Sequence, residues 1–99
     1  MREIEKAKII SKLLRVLSNE NRLVIVCYLI EKPMTVSELH ERMSYLTQPA
    51  LSQHLSILKA NRILDSNKSG LTITYFIKDE RIVNIIQVLK ENYCKSSDS

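Results

Sequence analysis

The spacing of apolar residues changes along this chain, and its single glycine sits beside the change. Up to about residue 60 the apolar positions recur every three or four residues, the period of a helix. Then, in "ILDSNKSGLTITYFI", Leu71, Ile73, Tyr75 and Ile77 alternate with Thr72, Thr74 and Phe76, the period of a strand. Thr, Ile and Tyr are residues that favour strands. Ser66–Gly70, around that glycine, is the expected hairpin turn. Asp79 can then cap a last helix, "ERIVNIIQVLKENYC", and "KSSDS" reads as a loose tail. The pattern is that of helices interrupted by one β-hairpin.

Caps and breakers divide the first part into four helices. Ile4, Ala7, Ile10, Leu14 and Leu17 form the first stripe, widened by Ile9, Leu13 and Val16, so this helix has apolar surface for more than one neighbour. Ser18 is a candidate N-cap for the second helix, which Pro33 stops. Glu20 lies in its first turn, where the helix dipole favours negative charge. "TVSE" at 35–38 is a capping box opening a short third helix with Leu39 and Met43 inward. "SYLT" turns into a fourth helix that ends near Ala60–Asn61. The predicted order is α-α-α-α-β-β-α in a single domain spanning 1–95, with 96–99 as a disordered tail.

A chain of 99 residues, 44% hydrophobic, can bury only a small core. Dimerisation is an expected supplement. The first and last helices carry more apolar residues than one small core covers, and Ile10, Leu14, Ile82 and Ile86 are the expected dimer interface. Lys and Arg number 15 against 11 Asp and Glu, and the pI is about 9.2, which points toward a polyanionic partner. The longest apolar run, Leu23 to Ile30, is far short of the roughly 20 residues of a membrane span. "MREIEKAK" has charge and no apolar signal core. The expected compartment is the cytoplasm, where Cys27 and Cys94 would not form a permanent structural disulfide.

In this basic chain, twelve consecutive residues, Thr47 to Leu58, contain no Lys, Arg, Asp or Glu. On a helical wheel of about 100° per residue, Gln48, Pro49, Ser52, Gln53, Ser56 and Lys59 fall on one arc. Ala50, Leu51, His54, Leu55, Ile57 and Leu58 fall on the other. Pro49 is tolerated because first-turn N–H groups have no intrahelical partner. A short capped helix, a tight turn and a second helix with neutral hydrogen-bonding groups at its front form a helix-turn-helix. In that motif the second helix enters the DNA major groove with its N-terminal residues, here from Thr47, on the base edges. Gln bonds adenine bidentately and Ser reads several bases. Cations belong at the periphery on phosphates, where Lys59, Arg62 and Lys68 lie. The hairpin then reads as a wing. His54, midway across the apolar arc, is expected half-buried and hydrogen-bonded.

At "LSQHL" the sequence resembles the ArsR family of bacterial winged-helix repressors. "LSNENRLVIVCYL" is similar to the family's second helix, "QPALSQHLSILK" to its recognition helix and "TITYFI" to its second wing strand. The resemblance covers nearly the whole chain. It implies a homodimer paired through the first and last helices, bound to an inverted repeat in double-stranded operator DNA. The turn "SYLT" is one residue longer than the common pattern, and Arg62 stands where the family usually has Gly. If that site needs positive φ, Arg costs about 1 kcal/mol, unless Asn61 takes over the left-handed position. Family metal sites use Cys-x-Cys in the third helix, or Asp and His on the last. Here "TVSELHERM" has no cysteine and "DERIVNIIQVLKENYC" no histidine, and His40 and His54 lie 14 apart. No metal or other cofactor is expected.

Cys27 in "VIVCYLI" and Cys94 in "ENYCK" are similar to the cysteines of the thiol-sensing HlyU- and BigR-like branch of the family. What this implies is a redox switch answering oxidants or reactive sulfur species. Cys27 is also placed to be an ordinary packing residue between Leu23 and Ile30, while Lys90 and Lys95 flank Cys94. The chain has no CxxC, and neither histidine forms an evident activating pair, so a thiol enzyme is disfavoured. A winged helix that binds only protein is argued against by Gln48, Ser52, Gln53 and Lys68.

Overall fold

Each helix start can be traced to a particular side chain. The structure, a computed structural model, describes residues 1–94; Lys95 and the tail expected at 96–99 lie outside the described residues. Helix α1 spans Glu3–Leu17, and Glu5 Oε1 accepts from the Arg2 N–H at 2.9 Å. Helix α2, Glu20–Glu31, is capped by Asn19 rather than by Ser18. Asn19 has extended φ and ψ, and its Oδ1 accepts from the Arg22 N–H at 3.1 Å. The Ser18 hydroxyl turns back and donates to the Arg15 carbonyl, finishing α1.

The expected capping box is formed. Thr35 Oγ1 accepts from the Glu38 N–H at 3.0 Å and Glu38 Oε1 from the Thr35 N–H at 2.8 Å, opening α3, Val36–Arg42. The bond from the Thr35 N–H first, and the Thr35 hydroxyl second, hold the Glu38 carboxyl below the usual carboxylate range. Helix α4, Gln48–Ala60, starts at Thr47, whose Oγ1 accepts from the Ala50 N–H, and has Pro49 in its first turn.

Helix α4 stops in a Schellman arrangement: the Ile63 N–H reaches the Leu58 carbonyl at 3.1 Å and the Arg62 N–H reaches that of Lys59 at 3.0 Å. The left-handed residue is Arg62 itself, φ +63°. Asn61 does not take it over; it stays at φ −93° and sends its side-chain amide to the Ile57 carbonyl. Leu58 and Ile63, on either side of the turn, are both buried, and that packing offsets the left-handed cost.

The sheet has three strands rather than two, antiparallel, in the order β1-β3-β2. β1 is only Met34–Thr35, paired to Tyr75 and Thr74. β2 is Leu64–Ser69 and β3 Thr72–Ile77. The hairpin turn is tighter than the sequence suggests. Asn67, Lys68 and Ser69 are still paired, to Thr74, Ile73 and Thr72, leaving Gly70–Leu71 as a two-residue turn. Gly70 has φ +63°, the pattern of a type II′ hairpin. Leu71 therefore leaves the inward series and is exposed.

Helix α5, Arg81–Tyr93, follows. Its formal cap position is Glu80, but the Asp79 carboxylate accepts from the Arg81 N–H and pairs with the Arg81 guanidinium at 2.8 Å. That guanidinium, ahead of the other contributions, pulls the Asp79 carboxyl down.

The core lies where α2, α4 and the sheet meet. Ile25, Val26 and Leu29 of α2 meet Leu51, Leu55 and Leu58 of α4, closed by Leu39, Met43, Ile63 and Leu64. Ile82 and Ile86, expected at the dimer interface, are 0% and 4% exposed within the single chain: they are core residues. Helix α1 contributes only Leu17 as a buried residue, with Leu13 and Val16 partly covered. Much of its apolar surface is unused within the protomer: Ile4, Ile9, Ile10 and Leu14 stay exposed.

Candidate nucleic-acid interface

Helix α4 separates its residues by burial as by chemistry. Leu51, Leu55 and Leu58 are buried, Ala50, His54 and Ile57 half-buried, and Gln48, Pro49, Ser52, Gln53, Ser56 and Lys59 exposed. The exposed arc therefore offers two amides and two hydroxyls, with its one cation at the far end. The Thr47 oxygen is engaged as the cap, but its hydroxyl proton is free to donate outward.

The helix is held in place by side-chain ties that sequence reading did not identify. His40 Nε2 lies 2.9 Å from the Leu46 carbonyl, just ahead of the Thr47 cap. The Tyr45 hydroxyl, in the turn, donates to Asn21 Oδ1 of α2 at 3.1 Å. Arg22 Nη1 lies 3.5 Å from His54 Nδ1, so His54 is half-buried with a polar neighbour. Only exact three-dimensional placement brings Arg22 and His54, 32 residues apart, together.

Gln48 and Ser52 open on a groove of about 440 Å³, whose other walls are Thr35 and Ser37 at the start of α3 and Leu71, Thr72 and Ile73 of the wing. Ser37 and Thr72 add hydroxyls to this surface; their only sequence signal is polarity beside a cap and a turn. Lys59 Nζ donates to Ser66 Oγ at 2.9 Å, tying the end of α4 to β2. Lys68 is exposed on β2 opposite Ile73, beside the wing tip rather than at it. Arg62 is exposed but lines a different groove, with Ile9, Ile10 and Leu13 of α1 and Arg81 of α5. Lys59 is thus tied to β2, the strand that carries Lys68, while Arg62 faces the groove between α1 and α5.

The thiols lie on two different helices. Cys27, on α2, is half-buried against the core; Cys94, which ends α5, is exposed, and its N–H donates to the Lys90 carbonyl. Both are free. Among the described residues no group of three or more His, Cys, Asp or Glu side chains is gathered where a metal could sit, and no helix is long and apolar enough to cross a membrane.

A helix-turn-helix with an uncharged, hydrogen-bonding front on its second helix and a β-hairpin wing beside it defines a winged-helix DNA-binding protein. Residues 19–66 match the bacterial regulatory protein, arsR family. The chain is 34% identical over 85 residues to the transcriptional activator HlyU of Vibrio cholerae, covering 86% of this chain and 78% of that one. The structure of reduced HlyU from that organism superposes with a TM-score of 0.82 over 95% of this chain and 99% of HlyU, at 34% identity. That of NolR from Sinorhizobium fredii does so with 0.83 over 92% and 90%, at 33% identity. The transcriptional repressor BigR from Xylella fastidiosa gives 0.77 over 94% and 91%, at 28% identity. The chain belongs to the arsR family: it is a transcriptional regulator, not an enzyme.

Proposed function

We propose that this protein is a cytoplasmic homodimeric repressor that binds an inverted repeat in double-stranded DNA and is released when Cys27 and Cys94 are oxidised or persulfidated. The observation that carries DNA reading is the exposed arc of α4, uncharged from Gln48 to Ser56. Gln48, Ser52 and Gln53 meet base edges, with Thr47, Pro49 and Ser56 around them, and Lys59 and Lys68 meet phosphates. Ile10 and Leu14, exposed on α1, belong to the dimer interface.

The switch is supported by the placement of the two thiols. Cys94 ends α5, whose distal half is exposed and apolar at Val88 and Leu89, a surface suited to a second protomer. A direct disulfide needs Cα atoms within about 7 Å, whereas a polysulfide bridge spans more. Drawing the end of α5 toward α2 would shift the partner and so the spacing of the two recognition helices. Half-sites lie about 34 Å apart, so a small shift costs one of two contacts. A second reading has its own support: Cys27 packs against the core, as a small hydrophobe does, which suits a regulator with no thiol response.

Gel-shift titration on DNA upstream of the protein's own gene, with reductant, peroxide or a polysulfide that supplies sulfane sulfur, tests both. The expected result is tight binding when reduced and binding at least roughly tenfold weaker when bridged, a coupling of about 1.4 kcal/mol. Mass spectrometry of the Cys27–Cys94 link separates a disulfide from a polysulfide. Cys27→Ser and Cys94→Ser should bind as the reduced protein does and ignore the oxidant. Release of oxidised Cys94→Ser from DNA would refute the two-cysteine switch, and a wild type that never responds would favour the second reading.

A further inference from the structure

Leu71 is 99% exposed, the highest value among the large apolar side chains of the described residues. It is the second residue of the two-residue wing turn, after Gly70, which has no side chain, so the tip presents one apolar group. The fold of the protomer makes no use of it: an apolar side chain left in water contributes no burial energy. From Ser66 to Ile77 the only charged residue is Lys68, so no carboxylate on this stretch repels a polyanion. Leu71 also lines the groove shared by Gln48 and Ser52. The wing tip and the front of the reading helix open on the same space.

Resting on the DNA-binding reading above, we propose that Leu71 is a specificity-determining wedge that reads how easily the duplex deforms beside each half-site. With α4 seated in the major groove, the slim tip is presented to the adjoining minor groove, which is about 6 Å wide. A cationic tip would be drawn to the strong negative potential of a narrow, stiff A-tract. An apolar tip gains instead by leaving water, and in a minor groove it does so by entering a base step and partly unstacking it. Pyrimidine–purine steps, TA and CA/TG, yield most readily. Leu71 thereby favours sites carrying such a step at a fixed offset from the base pairs that α4 reads, without forming a hydrogen bond of its own.

The test is selection from a random-sequence duplex pool by the full chain, by Leu71→Ala, by Leu71→Met and by Leu71→Arg, followed by anisotropy titrations on the wild-type winner. The same duplex carrying 2-aminopurine at the flanking step reports unstacking. The wild type is expected to select a core flanked by TA or CA/TG and to brighten the probe. Leu71→Ala should keep the core, lose the flanking bias, bind the wild-type winner roughly three- to tenfold more weakly and leave the probe dark. Leu71→Met should retain the bias, and Leu71→Arg should move it toward A-tracts. All four proteins should melt alike, because the side chain packs on nothing. Equal flanks, affinity and brightening for wild type and Leu71→Ala overturn the wedge while leaving DNA reading intact. A wild type that selects no core sequence overturns both.

Discussion

The Arg22 guanidinium reaches to 3.5 Å from His54 Nδ1, joining the first turn of α2 to the middle of α4. The same group donates through Nε to the Val16 carbonyl at 2.6 Å. One side chain therefore ties the end of α1 to the reading helix. Burial first, and the Arg22 charge second, push the His54 pKa below its ordinary value. Unfolded, the ring titrates near pH 6.5. Above that pH neither state is protonated and the full contribution to stability is present. As pH falls through this value toward the lower folded-state pKa, the unfolded chain takes up a proton that the folded chain resists, and stability is lost. Urea unfolding on either side of about pH 6.5 should show this loss in the wild type and a smaller one in His54→Gln. Equal losses would remove His54 as the cause.

Arg62 offers a stabilising substitution. Its φ of +63° sits at the left-handed position of the α4 stop, where glycine carries no Cβ penalty. Arg62→Gly should raise the unfolding free energy by about 1 kcal/mol. Because Arg62 lines the groove with α1 and α5, DNA affinity should stay within roughly twofold. A large drop in affinity would return Arg62 to the phosphate contacts.

Base reading and phosphate holding separate by mutation. Gln48→Ala and Ser52→Ala should each lose about 1–3 kcal/mol of discrimination between operator and scrambled duplex. Lys68→Ala should weaken both duplexes alike and reduce the salt slope by about one per protomer. Unchanged operator preference in both helix variants would sink the docking of α4 in the major groove.

The dimer prediction distinguishes two kinds of isoleucine and leucine. Leu14 is 54% exposed and Leu89 45%, so Leu14→Glu with Leu89→Glu should leave the protomer folded and shift analytical ultracentrifugation from dimer to monomer. Ile86, at 4%, belongs to the core, and Ile86→Ala should cost about 2–5 kcal/mol of stability. A double variant that still sediments as a dimer would place the interface elsewhere.

The helices and the face of α4 were legible in the sequence because both rest on local signals. Period, capping residues and the absence of charge placed Gln48, Ser52 and Gln53 on the exposed arc. What was not legible depends on register and distance. β1 is two residues long, too short for any period, and exists only because β3 offers Tyr75 and Thr74 as partners. Leu71 fits the alternation by residue type, but pairing of Ser69 with Thr72 pushes it into the turn. Ile82 and Ile86 show the same limit: amphipathic spacing marks an apolar face, yet whether that face meets its own core or another chain is decided by packing.

Ile82 and Ile86 close the core within one chain, so their burial does not wait for a partner. If the exposed parts of α1 and α5 pair two copies, as proposed, assembly is then a question of abundance. While copies are few, paired molecules accumulate with the square of the protomer concentration, and occupancy of a two-half operator follows that curve. A repressor assembled in that way would register its own copy number: a modest rise in synthesis would carry a promoter from open to closed, with no change in any contact to DNA.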